Sequence, residues 1–129
     1  MFYSRKPTRL PNYDYSENNY YFVTICTKNK ACIFGTPKKL NALGELAKRE
    51  IMELQTHYSG IFVDSFVIMP NHIHAIIVIQ QMDESKKRLS LSQIIGLYKA
   101  GVTRKARKQD IDAMLWQRSF HDHIIRDQQ

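Results

Sequence analysis

The chain has 129 residues, the size of one ordinary domain, and 43% of them are hydrophobic, which is enough for a packed core. Its formal charge is +7, from 19 basic and 12 acidic residues, and this excess favours polyanionic partners. No apolar run approaches the ~20 residues of a membrane helix, and the N-terminus lacks the apolar stretch of a signal peptide. We therefore expect a cytoplasmic protein without a membrane partner, in which Cys26 and Cys32 are reduced structural thiols.

The first half of the chain predicts an irregular arm, a strand and a helix. Prolines and polar residues interrupt any periodicity in residues 1–19, which we interpret as a basic arm. Residues 20–27 are rich in aromatic and β-branched side chains and predict a strand. A helix is predicted to follow, with Asn41 as its N-cap and Ser59-Gly60 as its stop. Its apolar residues recur at spacings of three and four: Leu43, Ala47, Ile51, Leu54 and Tyr58.

The second half predicts two strands, a helix and a last short strand. Residues 61–69 and 72–79 are separated by Pro70-Asn71, which predicts an antiparallel pair joined by a loop that proline could widen beyond two residues. A polar loop, 80–88, leads to a helix over about 91–107, where Ser90 and Gln93 fit a capping box. Residues 116–120 predict a short strand, and 121–129 a tail.

This order of elements predicts an α+β domain over residues 1–129. Strand, helix, strand, strand, helix, strand is typical of a ferredoxin-like antiparallel sheet with helices packed on one face.

The sharpest candidate site is the pair His72 and His74. Side chains alternate between the faces of a strand, so both imidazoles point the same way and can reach one cation. Two half-buried histidines at a strand edge are the commoner explanation of a bare His-x-His. The same face continues as Ile76 and Val78, and placing titratable groups at the start of a buried run costs desolvation energy, which favours a ligand pair.

A second candidate is a basic surface on the second helix. No Asp or Glu interrupts the eight Lys and Arg residues between Lys86 and Lys108, whereas solvated helix faces usually mix signs. In the tail, the basic side chains could bind phosphate or provide a further metal ligand, while Trp116 could simply complete the core. The predicted DNA-binding residues are Arg5, Lys6, Arg9, Lys99, Arg104, Lys105, Arg107, Lys108, Arg118 and Arg126, and the further ligand candidates are His121 and His123.

Tyr98 is the one tyrosine after the histidine pair. It falls in the apolar stripe with Leu91, Ile94, Ile95 and Val102, which favours a core aromatic over a nucleophile that must face the metal.

Several short motifs occur together in the order found in one transposase family. They are Tyr13-Asp14-Tyr15, residues 21–27, Leu40-Asn41 with Leu43-Gly44-Glu45, residues 69–74, Lys99, and Trp116-Gln117-Arg118 with residues 122–127. In this ordered set the chain resembles REP-associated tyrosine transposases, which are related to insertion-sequence-200-like, single-tyrosine HUH transposases. The resemblance covers nearly the whole chain.

The resemblance implies a ferredoxin-like domain that acts on single-stranded DNA beside a folded hairpin. His72 and His74 match the family's ligands for a divalent cation, Mg or Mn, which polarises the scissile phosphate while a tyrosine attacks to form a 5′-phosphotyrosine link. The family's nucleophile lies on a helix after the segment matching residues 124–127, and this helix carries a further metal ligand. The sequence reaches Gln129 before it, so we expect binding of metal and DNA without cleavage by this polypeptide alone.

Three hypotheses remain open at this point. The chain is a cleavage-deficient transposase domain, a DNA-hairpin-binding module with a vestigial histidine pair, or a metal-dependent hydrolase of a smaller substrate completed by His121 or His123. The basic stretch argues against the third. The sequence also leaves open whether the chain forms a homodimer.

Overall fold

The computed structural model describes residues 18–81, 88–111 and 114–125, and the last seven of these, 119–125, by their backbone alone. The elements in chain order are β1 (Asn19–Thr27), β2 (Gly35–Thr36), β3 (Lys39–Leu40), α1 (Ala42–His57), β4 (Ile61–Met69), β5 (His72–Ile79), α2 (Leu91–Lys108) and β6 (Trp116–Ile125).

The four long strands form one antiparallel sheet in the order β4-β5-β1-β6. Strand β1 therefore lies between β5 and β6, and β4 and β6 are the two edges. Two α-helices pack against one face of this sheet. This is the ferredoxin-like α+β arrangement that the order of elements predicted.

The core lies between the helices and the inward-facing residues of the central strands. In β1, Tyr21, Val23 and Ile25 are fully buried, while Phe22 and Thr24 between them are half-buried. This alternation gives the sheet one face covered by helices and one that no described helix covers, which we call the open face.

Helix α1 begins and ends where the sequence predicted. The Asn41 side chain accepts a hydrogen bond from Gly44 N at 2.8 Å, which satisfies one of the free N–H groups of the first turn. The helix ends at His57, so Tyr58 is a half-buried capping residue rather than the last member of the stripe.

Helix α2 begins with the predicted capping box. Ser90 accepts from Gln93 N while the Gln93 side chain accepts from Ser90 N. Within the described ranges, no helix is long and apolar enough to span a membrane.

The strands differ in three respects from what the sequence predicted. The β4–β5 hairpin has a two-residue loop, since Met69 pairs with His72. The final strand extends to Ile125, well beyond residue 120, because β1 offers pairing partners along its whole length. The short β2–β3 pair was not foreseen, because two-residue strands carry no periodicity.

Candidate metal centre and nucleic-acid interface

His72 and His74 lie on β5, on the open face of the sheet. Both are half-buried, whereas Ile73 and Ala75 are buried on the helix-covered face. The imidazole ring centroids are 4.6 Å apart and the ring planes meet at 73°. The two histidines thus share one face, as the alternation predicted. The prediction that the rest of this face is buried was wrong in part, because Ile76, the next residue on it, is only half-buried.

The Nδ1 atom of each imidazole has a polar partner. His72 Nδ1 lies 2.7 Å from Asn71 Oδ1, and His74 Nδ1 lies 3.0 Å from Thr24 Oγ1. The β1–β5 register places Thr24 beside His74, because Thr24 is the β1 residue directly opposite it. With Nδ1 engaged, Nε2 is the nitrogen left for a ligand on each ring.

The turn that carries Asn71 is fixed by buried contacts. The backbone N–H of Thr27 donates to Asn71 O at 3.1 Å, and the Thr27 hydroxyl lies 3.0 Å from the same oxygen. The backbone N–H of Phe34 donates to Pro70 O at 3.2 Å. Because Thr27 and Phe34 are fully buried, the turn is attached to the core, and the start of β5 is held in place.

The electrostatic surroundings favour neutral imidazole at His72. Burial lowers its pKa below the usual value, and the neighbouring His74 lowers it further. Neutral imidazole is the form that binds a metal, so this shift keeps the ligand form populated near neutral pH.

The side chains present fit a divalent cation in part. Two imidazole nitrogens suit Mn better than Mg, which prefers oxygen ligands. Among the side chains that the structure describes, no group of three or more His, Cys, Asp or Glu residues could hold a metal ion. The remaining coordination positions would fall to water or to oxygens of a bound phosphate.

Phe22 flanks the histidine pair on the open face. Its ring is stacked on that of His74, with centroids 5.5 Å apart and planes 17° apart. On β6, His121 is the register partner of Thr24, and His123 is the register partner of Phe22. Their side chains lie outside what the structure describes, so the suggestion of a further ligand from β6 stays a prediction.

The second candidate surface is a basic groove where α2 meets the edge strand β6. It has a volume of about 590 Å³. Trp116 forms part of its wall and packs on Phe34 and Tyr98, with centroids 5.9 and 6.0 Å away, so it also completes the core. The cations that line the groove are Lys99, Arg104, Arg107 and Lys108.

Two of the predicted DNA-binding lysines already have protein partners. Lys99 Nζ donates to Gln117 O at 3.0 Å, and burial lowers its pKa. Lys105 forms ion pairs with Glu50 and Glu53, and the hydrogen bond to Glu50 raises its pKa. These contacts could not be predicted from local sequence patterns, because the partners lie on β6 and α1.

The other predicted cations divide by position. Arg104, Arg107, Lys108 and Arg118 are exposed. Arg5, Lys6, Arg9 and Arg126 lie outside the described residues.

Tyr98 is buried, as the helical periodicity predicted. Its hydroxyl donates to Ala47 O at 2.9 Å, and burial raises its pKa, with Glu50 raising it further. It lies on the helix-covered side of the sheet, away from the histidine pair.

Two solved structures share this fold. A REP-associated tyrosine transposase bound to a REP hairpin superposes with a TM-score of 0.65 and 18% identity, over 92% of this chain and 62% of that one. The chain therefore spans less than two thirds of that protein's length. A proposed transposase from Deinococcus radiodurans R1 superposes with a TM-score of 0.61 and 13% identity, over 92% of this chain and 86% of that one.

Sequence comparison gives a nearer relative. No family model matches the chain. An uncharacterized protein of Haemophilus influenzae is 39% identical over 96% of this chain and 80% of its own length. The chain therefore belongs to the same family as this Haemophilus influenzae protein.

Proposed function

We propose that the chain is a transposase-like DNA-binding domain that acts on hairpin and single-stranded DNA, in DNA transposition or in the processing of REP elements. The observation that carries the proposal is a pair of imidazoles with both Nδ1 atoms engaged, on the open face of a fold shared with a transposase bound to a REP hairpin. The basic groove supports it, because exposed cations without interspersed acids suit a phosphate backbone.

The two surfaces lie on opposite sides of the sheet. The groove lies beside β6, and the histidine pair lies two strands away on β5, or about 10 Å at the usual strand spacing. We infer that a DNA stem rests against Arg104 and Lys108 while its unpaired continuation passes over the β6 edge to the histidine pair.

The histidines would hold a divalent cation, Mn or Mg. When bound, such a cation acts as a Lewis acid toward a phosphate oxygen. The chain's own residues then orient the site: Asn71 and Thr24 hold the imidazoles, and the cations of the groove hold the flanking phosphates.

The alternative is a DNA-hairpin-binding module in which the histidine pair is vestigial. It has one observation in its favour, which is that the described side chains offer two ligands and no third. Both hypotheses predict DNA binding, but only a functional histidine pair makes that binding depend on a metal.

The test of DNA binding is its salt dependence. Affinity for a labelled DNA hairpin should fall linearly with the logarithm of salt concentration. Arg104→Ala with Lys108→Ala should reduce the slope by about two units, since each phosphate contact on duplex DNA contributes about 0.9. The matched control is Lys48→Ala with Arg49→Ala, which removes the same charge from the exposed side of α1. Equal slopes for both double variants would show that the groove does not contact the stem.

A further inference from the structure

Large apolar side chains are exposed on the open face of the sheet. Tyr20 on β1 is 43% exposed and Phe62 on β4 is 46% exposed. Both are register partners of Val78 on β5, so the two rings flank this residue across three neighbouring strands. Phe22 lies one step further along the same face of β1.

This row continues into the histidine pair. Along β5, Val78 is four residues from His74, which is about 13 Å at the rise of an antiparallel strand. Phe22 lies between the two and stacks on the His74 ring. The two exposed rings, the half-buried ring of Phe22 and the candidate metal centre therefore form one surface. We call its three rings, Tyr20, Phe22 and Phe62, the aromatic platform.

Exposed rings on one face of a sheet suit flat, apolar partners. Nucleic-acid bases stack on aromatic side chains, and every base offers such a face, so a platform of this kind binds single strands without sequence preference. The formal charge of the whole chain, +7, favours a polyanionic partner over a second copy of the same chain.

We propose that the aromatic platform binds unpaired bases next to the phosphate held at the histidine pair. This inference rests on the proposed function and specifies which part of the DNA each face receives. The double-stranded stem lies against the basic groove, and the unpaired strand lies with its bases on Tyr20 and Phe62.

The test compares two labelled DNA hairpins, one blunt and one with a single-stranded extension. Tyr20→Ala and Phe62→Ala should each weaken binding of the extended hairpin about five- to a hundredfold and leave the blunt hairpin unchanged. Tyr20→Phe and Phe62→Tyr keep a ring and should bind like the unaltered protein. Met52→Ala is the control, since Met52 is 51% exposed on α1. A 2-aminopurine base in the extension reports stacking directly, by a loss of fluorescence on binding.

The outcomes separate this inference from the proposed function. If the alanine variants weaken binding of the extended and blunt hairpins equally, or weaken neither, the proposed base-binding role of the platform is wrong, while hairpin binding by the protein still stands. Absence of binding by the unaltered protein overturns both. Light scattering that shows a dimer dissociated by Tyr20→Ala would assign the face to a second copy. Unfolding at lower temperature in both alanine variants, with unchanged affinity, would assign it to another segment of this chain.

Discussion

At the scale of single residues, the candidate metal centre depends on which ring nitrogen of each histidine carries hydrogen. Asn71 Oδ1 can only accept, so His72 Nδ1 is the donor and His72 Nε2 carries the lone pair. The Thr24 hydroxyl can accept from His74 Nδ1 in the same way. These two partners prepare both rings to bind through Nε2.

Removing either partner should weaken metal binding. In Asn71→Leu and Thr24→Val we expect Mn affinity to fall about 10- to 100-fold, the usual effect of losing a partner that orients a metal ligand. Asn71→Asp keeps an acceptor oxygen and Thr24→Ser keeps the hydroxyl, so both should retain most of the affinity. Long-range nitrogen–hydrogen NMR of the metal-free protein reads the tautomer of each ring. Loss of affinity with unchanged tautomers would contradict the positioning role.

The sequence predicted the histidine pair and missed both of its hydrogen-bonding partners for physical reasons. Alternation along one strand is a local property, so the shared face of His72 and His74 follows from spacing alone. Thr24 is 50 residues away from His74 in sequence, and only the β1–β5 register brings them together. Asn71 is adjacent in sequence, but its role depends on the turn that Thr27 and Phe34 anchor.

At the scale of elements, two helical glycines have opposite surroundings. A Cβ atom at Gly44, in the first turn of α1, would lie 2.2 Å from the backbone oxygen of Phe34. A Cβ atom at Gly96, in α2, would meet nothing within 4 Å. The first turn of α1 therefore packs against the segment before β2 at a distance that only glycine allows.

Alanine at these two positions should change stability in opposite directions. Gly44→Ala should lower the free energy of unfolding by about 3 kcal/mol, because backbone atoms must move apart. Gly96→Ala should raise it by about 0.5–1 kcal/mol, because alanine loses less conformational entropy in a helix. Chemical denaturation measures both, and each variant is the other's control. Destabilisation of similar size in both would mean that the packing of α1 is misassigned.

The helices and most strands were predictable because their patterns are local, whereas the end of β6 was not. Residues 121–125 mix charged and apolar side chains and show no clean alternation. An edge strand tolerates this mixture, since β6 pairs on one side only, and pairing with β1 extends it to Ile125. The Lys105–Glu50 ion pair likewise depends on how α1 and α2 pack together.

At the scale of the whole molecule, the sheet separates the basic groove from the histidine pair. The sequence predicted both surfaces but not their positions, because the side on which α2 packs is decided by tertiary structure. The tyrosines are likewise divided between the two sides of the sheet. Tyr21 and Tyr98 are buried on the helix side, and Tyr58 caps α1. Tyr20 shares the face of His74. It lies four residues along β1 from Thr24, the register partner of His74, and this separation is about 13 Å.

We therefore expect no covalent DNA adduct from the described tyrosines. A phenolic oxygen must stand close to the phosphate and in line with it for attack, and none of these four is next to the histidine pair. Tyr3, Tyr13 and Tyr15 lie outside the described residues. The measurement is incubation with labelled hairpin DNA and Mn, followed by denaturing electrophoresis. A stable protein–DNA band that disappears in Tyr20→Phe would show that the open face brings Tyr20 to the metal.

We propose that the histidine pair binds a cation that also contacts DNA, and thermodynamic coupling between Mn binding and DNA binding tests this proposal. Hairpin affinity is measured with and without Mn for the unaltered protein, for His72→Ala with His74→Ala, and for His57→Ala, which removes a half-exposed histidine elsewhere. We expect Mn to tighten DNA binding about five- to tenfold in the unaltered protein and in His57→Ala, and to have no effect in the double variant. An equal response to Mn in all three proteins, or no response in any, would contradict it.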